Sequence, residues 1–153
     1  MTIDFILNGE DVSIQSRAGE RLSEILRKNF RIHGVRGDCM AGRCGRCMVL
    51  MNGIPVNSCL VPGFRVRASE IVTPEGFAQT DERRDVIEGF ALEGLVPCGF
   101  CDGARELVAS ATADETFSPS DDLILERMSA IECRCAQPSV IIRAVRAVAA
   151  IRG

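Results

Sequence analysis

Eight cysteines lie in two groups of four along the chain, and their thiolates are ligands for soft metal centres. The first group is Cys39, Cys44, Cys47 and Cys59; the second is Cys98, Cys101, Cys133 and Cys135. Four thiolates are the number that one 2Fe-2S cluster requires. The first group has the C-x4-C-x2-C spacing and more distant fourth cysteine that are typical of plant-type ferredoxins. We therefore predict an electron carrier with two 2Fe-2S clusters.

The second group of cysteines has a different spacing, C-x2-C followed by a gap of 31 residues and then C-x-C. Tetrathiolate zinc sites also use C-x2-C pairs, so the spacing alone is compatible with zinc. The single residue between Cys133 and Cys135 is tight for a zinc knuckle, which commonly has two to four. This favours a second iron-sulfur cluster and leaves zinc as the alternative.

Disulfides are the structural alternative for an even cysteine count. The chain has 153 residues and is 46% hydrophobic, so it can bury an ordinary core without them. Its start, Met1 to Phe5, has no basic region, long apolar region or cleavage site of a secretory signal. We therefore expect a cytoplasmic protein with thiols available as ligands, and His33, the only histidine, to be structural.

The composition also limits the partners. No stretch of about 18 apolar residues occurs, so we expect no membrane span. The net charge is −3 and the arginines are spread along the chain, which does not give the basic stripe of nucleic-acid binders. We therefore expect protein partners. No nucleophile-base constellation or phosphate-binding glycine motif is present, so the chain is expected to catalyse nothing alone.

The first cysteine loop is rich in glycine and arginine. An oxidised 2Fe-2S cluster with four thiolates is dianionic and must be met by donors. Glycine allows left-handed backbone that brings N–H groups close to sulfur, and we expect this of Gly37, Gly42 and Gly45. Two interpretations of the arginines stay open: positive charge close to the cluster, or solvated loop side chains. The arginines are Arg36, Arg43 and Arg46.

The elements that position the first group form an α+β pattern. Asn8-Gly9 and Asn52-Gly53 are hairpin signals, and a helix is predicted from about Glu20 to Asn29. The predicted strands are Thr2 to Leu7, Val12 to Gln15, Met48 to Met51, and Glu70 to Thr73. This is typical of a ferredoxin-like β-grasp domain, which we place at residues 1–74.

After a linker at 75–80, the patterns predict a helical domain at 81–153. Asp81 is predicted to cap the first helix, and Pro119 and Pro138 to open the third and fourth. The predicted helices run from Asp81 to about Leu92, from Ala104 to Thr112, from Ser118 toward Met128, and from Pro138 onward. Four short helices predict a small bundle, with the cysteine pairs at helix starts, where backbone N–H groups favour negative charge.

Four motifs together resemble a known family over nearly the whole chain, the small iron-sulfur subunit of the xanthine oxidase family of molybdenum hydroxylases. They are Gly37 to Cys47, Asn57 to Leu60, Cys98 to Cys101, and Cys133 to Cys135. The resemblance implies a ferredoxin-like domain and a four-helix domain with one 2Fe-2S cluster each. It also implies a hetero-oligomer in which electrons pass from a large molybdopterin subunit through this non-catalytic chain to an FAD subunit.

The chain departs from the family pattern around the second group. Pro97 stands where the family commonly has a Gln that contacts the pterin, and Asp102-Gly103-Ala104 replaces Thr-Pro-Gly. Ala130-Ile131-Glu132 replaces Gly-Asn-x before Cys133. Either the loops have drifted, or the partner surface is altered and the partner lacks the usual molybdopterin. Two further interpretations stay open, a free-standing two-cluster ferredoxin and a zinc-stabilised adaptor.

Overall fold

A five-stranded mixed sheet forms the core of the N-terminal half in the computed structural model, which describes residues 1–153. The strand order is β2-β1-β5-β3-β4; β1 and β5 are parallel and the other neighbours antiparallel. The strands are β1 (Thr2–Leu7), β2 (Glu10–Gln15), β3 (Met48–Met51), β4 (Ile54–Asn57) and β5 (Glu70–Val72). Helix α1 (Leu22–Phe30) packs its buried face, with Leu22, Ile25 and Leu26, into the same core as β1.

Two tight turns connect the hairpins as the sequence predicts. Asn8 and Gly9 have φ of 51° and 84°, and Asn52 and Gly53 have φ of 52° and 80°. Positive φ at both central positions is the requirement of a type I′ turn, which Asn-Gly meets with little strain. Strand β4 was absent from the sequence prediction, because it is a short edge strand that contains Pro55.

A short helical turn, α2 (Pro74–Phe77), includes residues 75–77 of the predicted linker. Thr73 caps this turn by accepting from the Gly76 N–H at 3.3 Å, and Asn8 donates to the same Thr73 hydroxyl at 3.0 Å. Phe77 is buried in the core of the helical half. The junction is therefore ordered and hydrogen-bonded, while the domain bounds 1–74, 75–80 and 81–153 stay a prediction.

The C-terminal half is a bundle of four helices around one apolar core. They are α3 (Asp81–Leu92), α4 (Asp102–Glu115), α5 (Asp121–Met128) and α6 (Pro138–Arg152). Helices α3 and α6 pack closely, since a Cβ at Gly89 would lie 2.6 Å from Val148 Cγ2. None of the helices combines the length and the apolar character that crossing a membrane would need.

The helix starts correct two predictions. Thr80, not Asp81, is the cap of α3, and its hydroxyl accepts from Arg83 N–H at 3.4 Å. Ser120 caps α5 by accepting from Leu123 N–H at 3.2 Å, so Pro119 precedes the helix and does not open it. In both places a hydroxyl just outside the helix satisfies a free N–H. Pro138 does occupy the first turn of α6, as predicted.

Candidate metal centres

The first cysteine loop, between α1 and β3, wraps around the sulfur of Cys39. Three backbone N–H groups, those of Ala41, Arg43 and Cys44, donate to Cys39 Sγ at 3.4 Å each. Gly42 and Gly45 both have φ of 72°, the left-handed conformation expected of them. The prediction for Gly37 is wrong, because the third left-handed residue of the loop is Met40, with φ of 50°.

These donors give Cys39 an unusual acidity. The N–H groups of Cys44, Ala41 and Arg43 lower the pKa of the Cys39 thiol to about 6, because they stabilise the thiolate. By contrast, burial raises the pKa of Cys47 to about 11. The side chain of Cys47 lies beside that of Cys59, and the side chain of Cys39 beside that of Cys44. The loop therefore already presents donors to negative charge on sulfur.

A short turn carries the fourth cysteine of the first group to the others. The turn Ser58–Leu60 follows β4, and the fully buried Ser58 hydroxyl donates to the Cys47 carbonyl at 2.6 Å. The Ser58 N–H donates to the same carbonyl at 3.3 Å. Asn57 Nδ2 donates to the Gly42 carbonyl at 3.4 Å. The hydrogen bond from Ser58 to the Cys47 carbonyl was not predicted, because a serine beside a cysteine carries no spacing signal.

The second group of cysteines gathers at the start of α4 and in the segment before α6. Cys101 is the residue that precedes α4 and is buried, whereas Cys98 and Cys135 are exposed. The side chain of Cys98 lies beside that of Cys135, and the side chain of Cys101 beside that of Cys133. Each cysteine of the chain thus adjoins another cysteine of its own group.

Asp102 folds the C-x2-C loop of the second group. Its carboxylate accepts from the N–H groups of Cys98, at 3.2 Å, and Gly99, at 2.5 Å. Asp102 oxygen lies within 4.8 Å of the sulfurs of Cys98 and Cys101, but the two backbone donors engage it. The four cysteines are therefore better ligand candidates than a set that includes this carboxylate.

One arginine that the sequence analysis did not select reaches the second group. Arg105 is 2% exposed, and its Nη2 donates to Cys101 Sγ at 3.0 Å and to Cys133 Sγ at 2.7 Å. Burial raises the pKa of Cys101 to about 11 although Arg105 opposes this. Burial also acts to raise the pKa of Cys133, but the N–H of Cys135 and the charge of Arg105 lower it overall. The one available signal was its position four residues after Cys101 in a predicted helical region.

The donor chemistry of both groups fits iron-sulfur clusters. All eight cysteines are free thiols, so the disulfide alternative does not describe this structure. Each group offers four thiols together with hydrogen-bond donors directed at sulfur: backbone N–H groups at Cys39 and a guanidinium at Cys101 and Cys133. Such donors suit a dianionic cluster with four thiolate ligands. His33 is exposed and lies outside both groups.

The two candidate sites are in direct contact through their loops. The N–H of Glu132, the residue before Cys133, donates to the carbonyl of Cys44 at 2.9 Å. Gly45 packs so closely on this segment that a Cβ there would collide with the Ala130 carbonyl oxygen. A backbone hydrogen bond therefore links a ligand candidate of the first group to the residue beside a candidate of the second.

An aromatic ring from the second loop also lies against two arginines of the first. The guanidinium carbons of Arg36 and Arg46 lie 4.5 and 4.4 Å from the ring centroid of Phe100, which is cation-π range. Both arginines also pair with Asp38. The solvated interpretation is wrong for Arg46, whose side chain is 16% exposed. The side chain of Arg36 stays 39% exposed, and that of Arg43 is exposed and makes no ion pair.

Comparisons of the sequence identify two iron-sulfur domains along the chain. Residues 5–70 match the family model described as a 2Fe-2S iron-sulfur cluster binding domain, and residues 73–146 match one described as a 2Fe-2S binding domain. The chain is 36% identical to the nicotinate dehydrogenase small FeS subunit of Eubacterium barkeri, over 95% of this chain and 93% of that protein. It is 32% identical to one of the nicotinate dehydrogenase subunits of Pseudomonas putida, over 99% and 96%.

The fold of the chain is also similar to solved structures. One chain of quinoline 2-oxidoreductase from Pseudomonas putida 86 superposes with a TM-score of 0.86 at 31% identity, covering 100% of this chain and 97% of that one. The α+β fold with a ferredoxin-like domain and a helical domain is thus confirmed. The chain belongs to the small iron-sulfur subunits of the molybdenum hydroxylases, the two-domain 2Fe-2S electron-transfer subunits of oxidoreductases that are not themselves catalytic.

Proposed function

We propose that the eight cysteines hold two 2Fe-2S clusters in two separate sets. Cys39, Cys44, Cys47 and Cys59 hold the N-terminal cluster; Cys98, Cys101, Cys133 and Cys135 hold the C-terminal one. The observation that supports this assignment is that one set lies within residues 5–70 and the other within residues 73–146, the two ranges that match 2Fe-2S binding domains. Within each set, every cysteine also contacts another cysteine. Each bound cluster accepts and releases one electron at a time, while the protein fixes the ligands and supplies donors to the sulfurs.

We propose further that the chain relays electrons from a large molybdopterin-type subunit to an FAD-type subunit or another acceptor. Cys98 and Cys135 are exposed and give the second site an open face for the large subunit. Cys39 is the one cysteine of the first site that is not buried, which gives that site its own open side. The hydrogen bond from Glu132 to Cys44 connects the two sites inside the protein.

The large subunit meets a surface without the family's usual glutamine. Pro97 is exposed and has neither a backbone N–H nor a side-chain amide, so it cannot replace the contact to the pterin. We propose a large subunit that holds its molybdopterin without this contact. Free thiols in such number suit a reducing compartment, and we place the complex in the cytoplasm.

The first test of the assignment is the metal content of the purified full-length chain. Two 2Fe-2S clusters predict about four iron and about four sulfide ions per chain. After reduction, two distinct electron paramagnetic resonance (EPR) signals are expected. Iron close to two per chain, with zinc in place of the rest, would show that the second set is a zinc site and that the relay has only one cluster.

A further inference from the structure

Arg105 carries a positive charge into the interior beside the second cysteine set. It lies in the first turn of α4, and its backbone N–H donates to the Cys101 carbonyl at 3.0 Å. This places the side chain on the face of the helix that turns toward Cys133. Both hydrogen bonds of the guanidinium go to cysteine sulfurs, at 3.0 and 2.7 Å. A buried arginine needs a negative partner, because an unpaired buried charge is very costly.

The neighbouring carboxylates do not hydrogen-bond to Arg105. Glu106 is buried, but its two oxygens accept from Arg83, at 2.8 Å to Nε and 3.4 Å to Nη2. Asp102 accepts from the backbone N–H groups of Cys98 and Gly99. The hydrogen-bond partners that remain for Arg105 are the sulfurs of Cys101 and Cys133.

We propose that Arg105 raises the reduction potential of the C-terminal cluster and so favours electron entry from the large subunit. Reduction adds one negative charge to the cluster and its thiolates. A fixed guanidinium in a poorly solvated site stabilises this added charge more than it stabilises the oxidised form. Hydrogen bonds to the ligand sulfurs act in the same direction. This inference rests on the proposed two-cluster function.

The test compares three variants of the full chain with both clusters present. Arg105→Gln keeps a hydrogen-bond donor and removes the charge, and Arg105→Lys keeps the charge on a smaller group. Arg143→Gln removes an exposed charge of the same helical half, where Arg143 pairs only with Glu93. The measurement is a potentiometric titration in which each cluster is followed by its own EPR signal.

The expected result is a lower midpoint potential of the C-terminal signal in Arg105→Gln. We expect at least a tenfold loss in the equilibrium constant for reduction, which is about 59 mV for one electron. Arg105→Lys should recover most of this loss. The N-terminal signal should not move in either variant, and Arg143→Gln should move neither signal. An Arg105→Gln protein with full iron content and the wild-type midpoint overturns the proposal.

A second measurement uses a protein with Arg105 intact and decides the question even if the Arg105 variants lose the cluster. Arginine labelled with ¹⁵N in the guanidino group should give a ¹⁵N hyperfine coupling on the reduced C-terminal signal. The measurement is made in protein that carries Arg36→Lys, Arg46→Lys and Arg134→Lys. These changes remove the other guanidinium groups beside the second site, the two against Phe100 and the exposed one between Cys133 and Cys135. Absence of the coupling overturns the proposal. If wild-type protein contains only two irons, the two-cluster function fails first, which the metal analysis shows separately.

Discussion

Single cysteines are the residues with the most direct consequence for the two sites. Cys47 is buried beside Cys59, and Cys135 is exposed beside Cys98. We expect Cys47→Ser to remove or alter the N-terminal EPR signal and to leave the C-terminal signal unchanged. Cys135→Ser should have the opposite effect, since serine is a poor replacement for a thiolate ligand of iron.

Circular dichroism is the control for this pair of variants, because metal binding and folding are coupled in small metal domains. A folded variant that lost both signals would contradict the division into two sets. The division would also be contradicted if Cys47→Ser altered the C-terminal signal, or if Cys135→Ser altered the N-terminal one.

Among single residues, the sequence predicted those that belong to short motifs with a known spacing. The eight cysteines and the left-handed Gly42 and Gly45 follow from motifs within a few residues of one another. Arg105 and Ser58 do not, because each acts on a cysteine distant in the sequence, Cys133 and Cys47 respectively. Such contacts depend on how helices and turns are brought together, and a single sequence carries no spacing rule for them.

The turn Ser58–Leu60 follows β4 and is hydrogen-bonded to the end of the first cysteine loop. Because the buried Ser58 hydroxyl donates to the Cys47 carbonyl, Ser58→Ala should destabilise the protein by about 1 kcal/mol, the usual contribution of one hydrogen bond. It should also make the N-terminal cluster easier to remove with a chelator. The measurements are thermal unfolding of the cluster-loaded protein and the rate of bleaching.

Thr112→Val is the matched control for Ser58→Ala. The buried Thr112 hydroxyl also donates to a backbone carbonyl, that of Val108 at 2.7 Å, but it lies in α4, two turns beyond Arg105. We expect a similar loss of stability and no change in the bleaching of the N-terminal cluster. Equal bleaching rates for the wild type and Ser58→Ala would show that the turn does not hold the loop.

Most elements could be predicted, and the errors lie at their ends. β1, β3 and α3 match the predicted ranges, because their apolar patterns stop at clear turn or cap residues. α2 was missed because Pro74-Glu75-Gly76 has the composition of a linker, although the buried Phe77 anchors it in the helical core. The packing of Phe77 in the core of the helical half therefore outweighs the linker-like composition of the residues before it.

The contact between the two halves determines the geometry of the whole molecule. Gly45 has φ of 72° and faces the Ala130 carbonyl, so Gly45→Ala should destabilise through both backbone strain and a collision across the interface. Gly53→Ala is the control, because Gly53 has φ of 80° and no atom within 4 Å of its Cβ position. The left-handed conformation costs each variant about 1 to 2 kcal/mol.

The difference between the two glycine variants isolates the interface. We expect Gly45→Ala to lose a further amount of about 1 to 3 kcal/mol in the free energy of unfolding, the typical cost of overpacking. Thermal or denaturant unfolding of the cluster-loaded protein measures this. Equal losses in both variants would indicate that the two halves do not hold each other in the folded protein.

The hydrogen bond from Glu132 to Cys44 is made only of main-chain atoms. Every amino acid except proline supplies the same N–H at position 132, so the hydrogen bond does not depend on the side chain at that position. Substitutions beside Cys133 can therefore change the surface that a partner contacts while the hydrogen bond between the two sites is kept. The altered Ala130-Ile131-Glu132 segment therefore keeps this connection whichever side chains it carries, because the connection is not encoded in them.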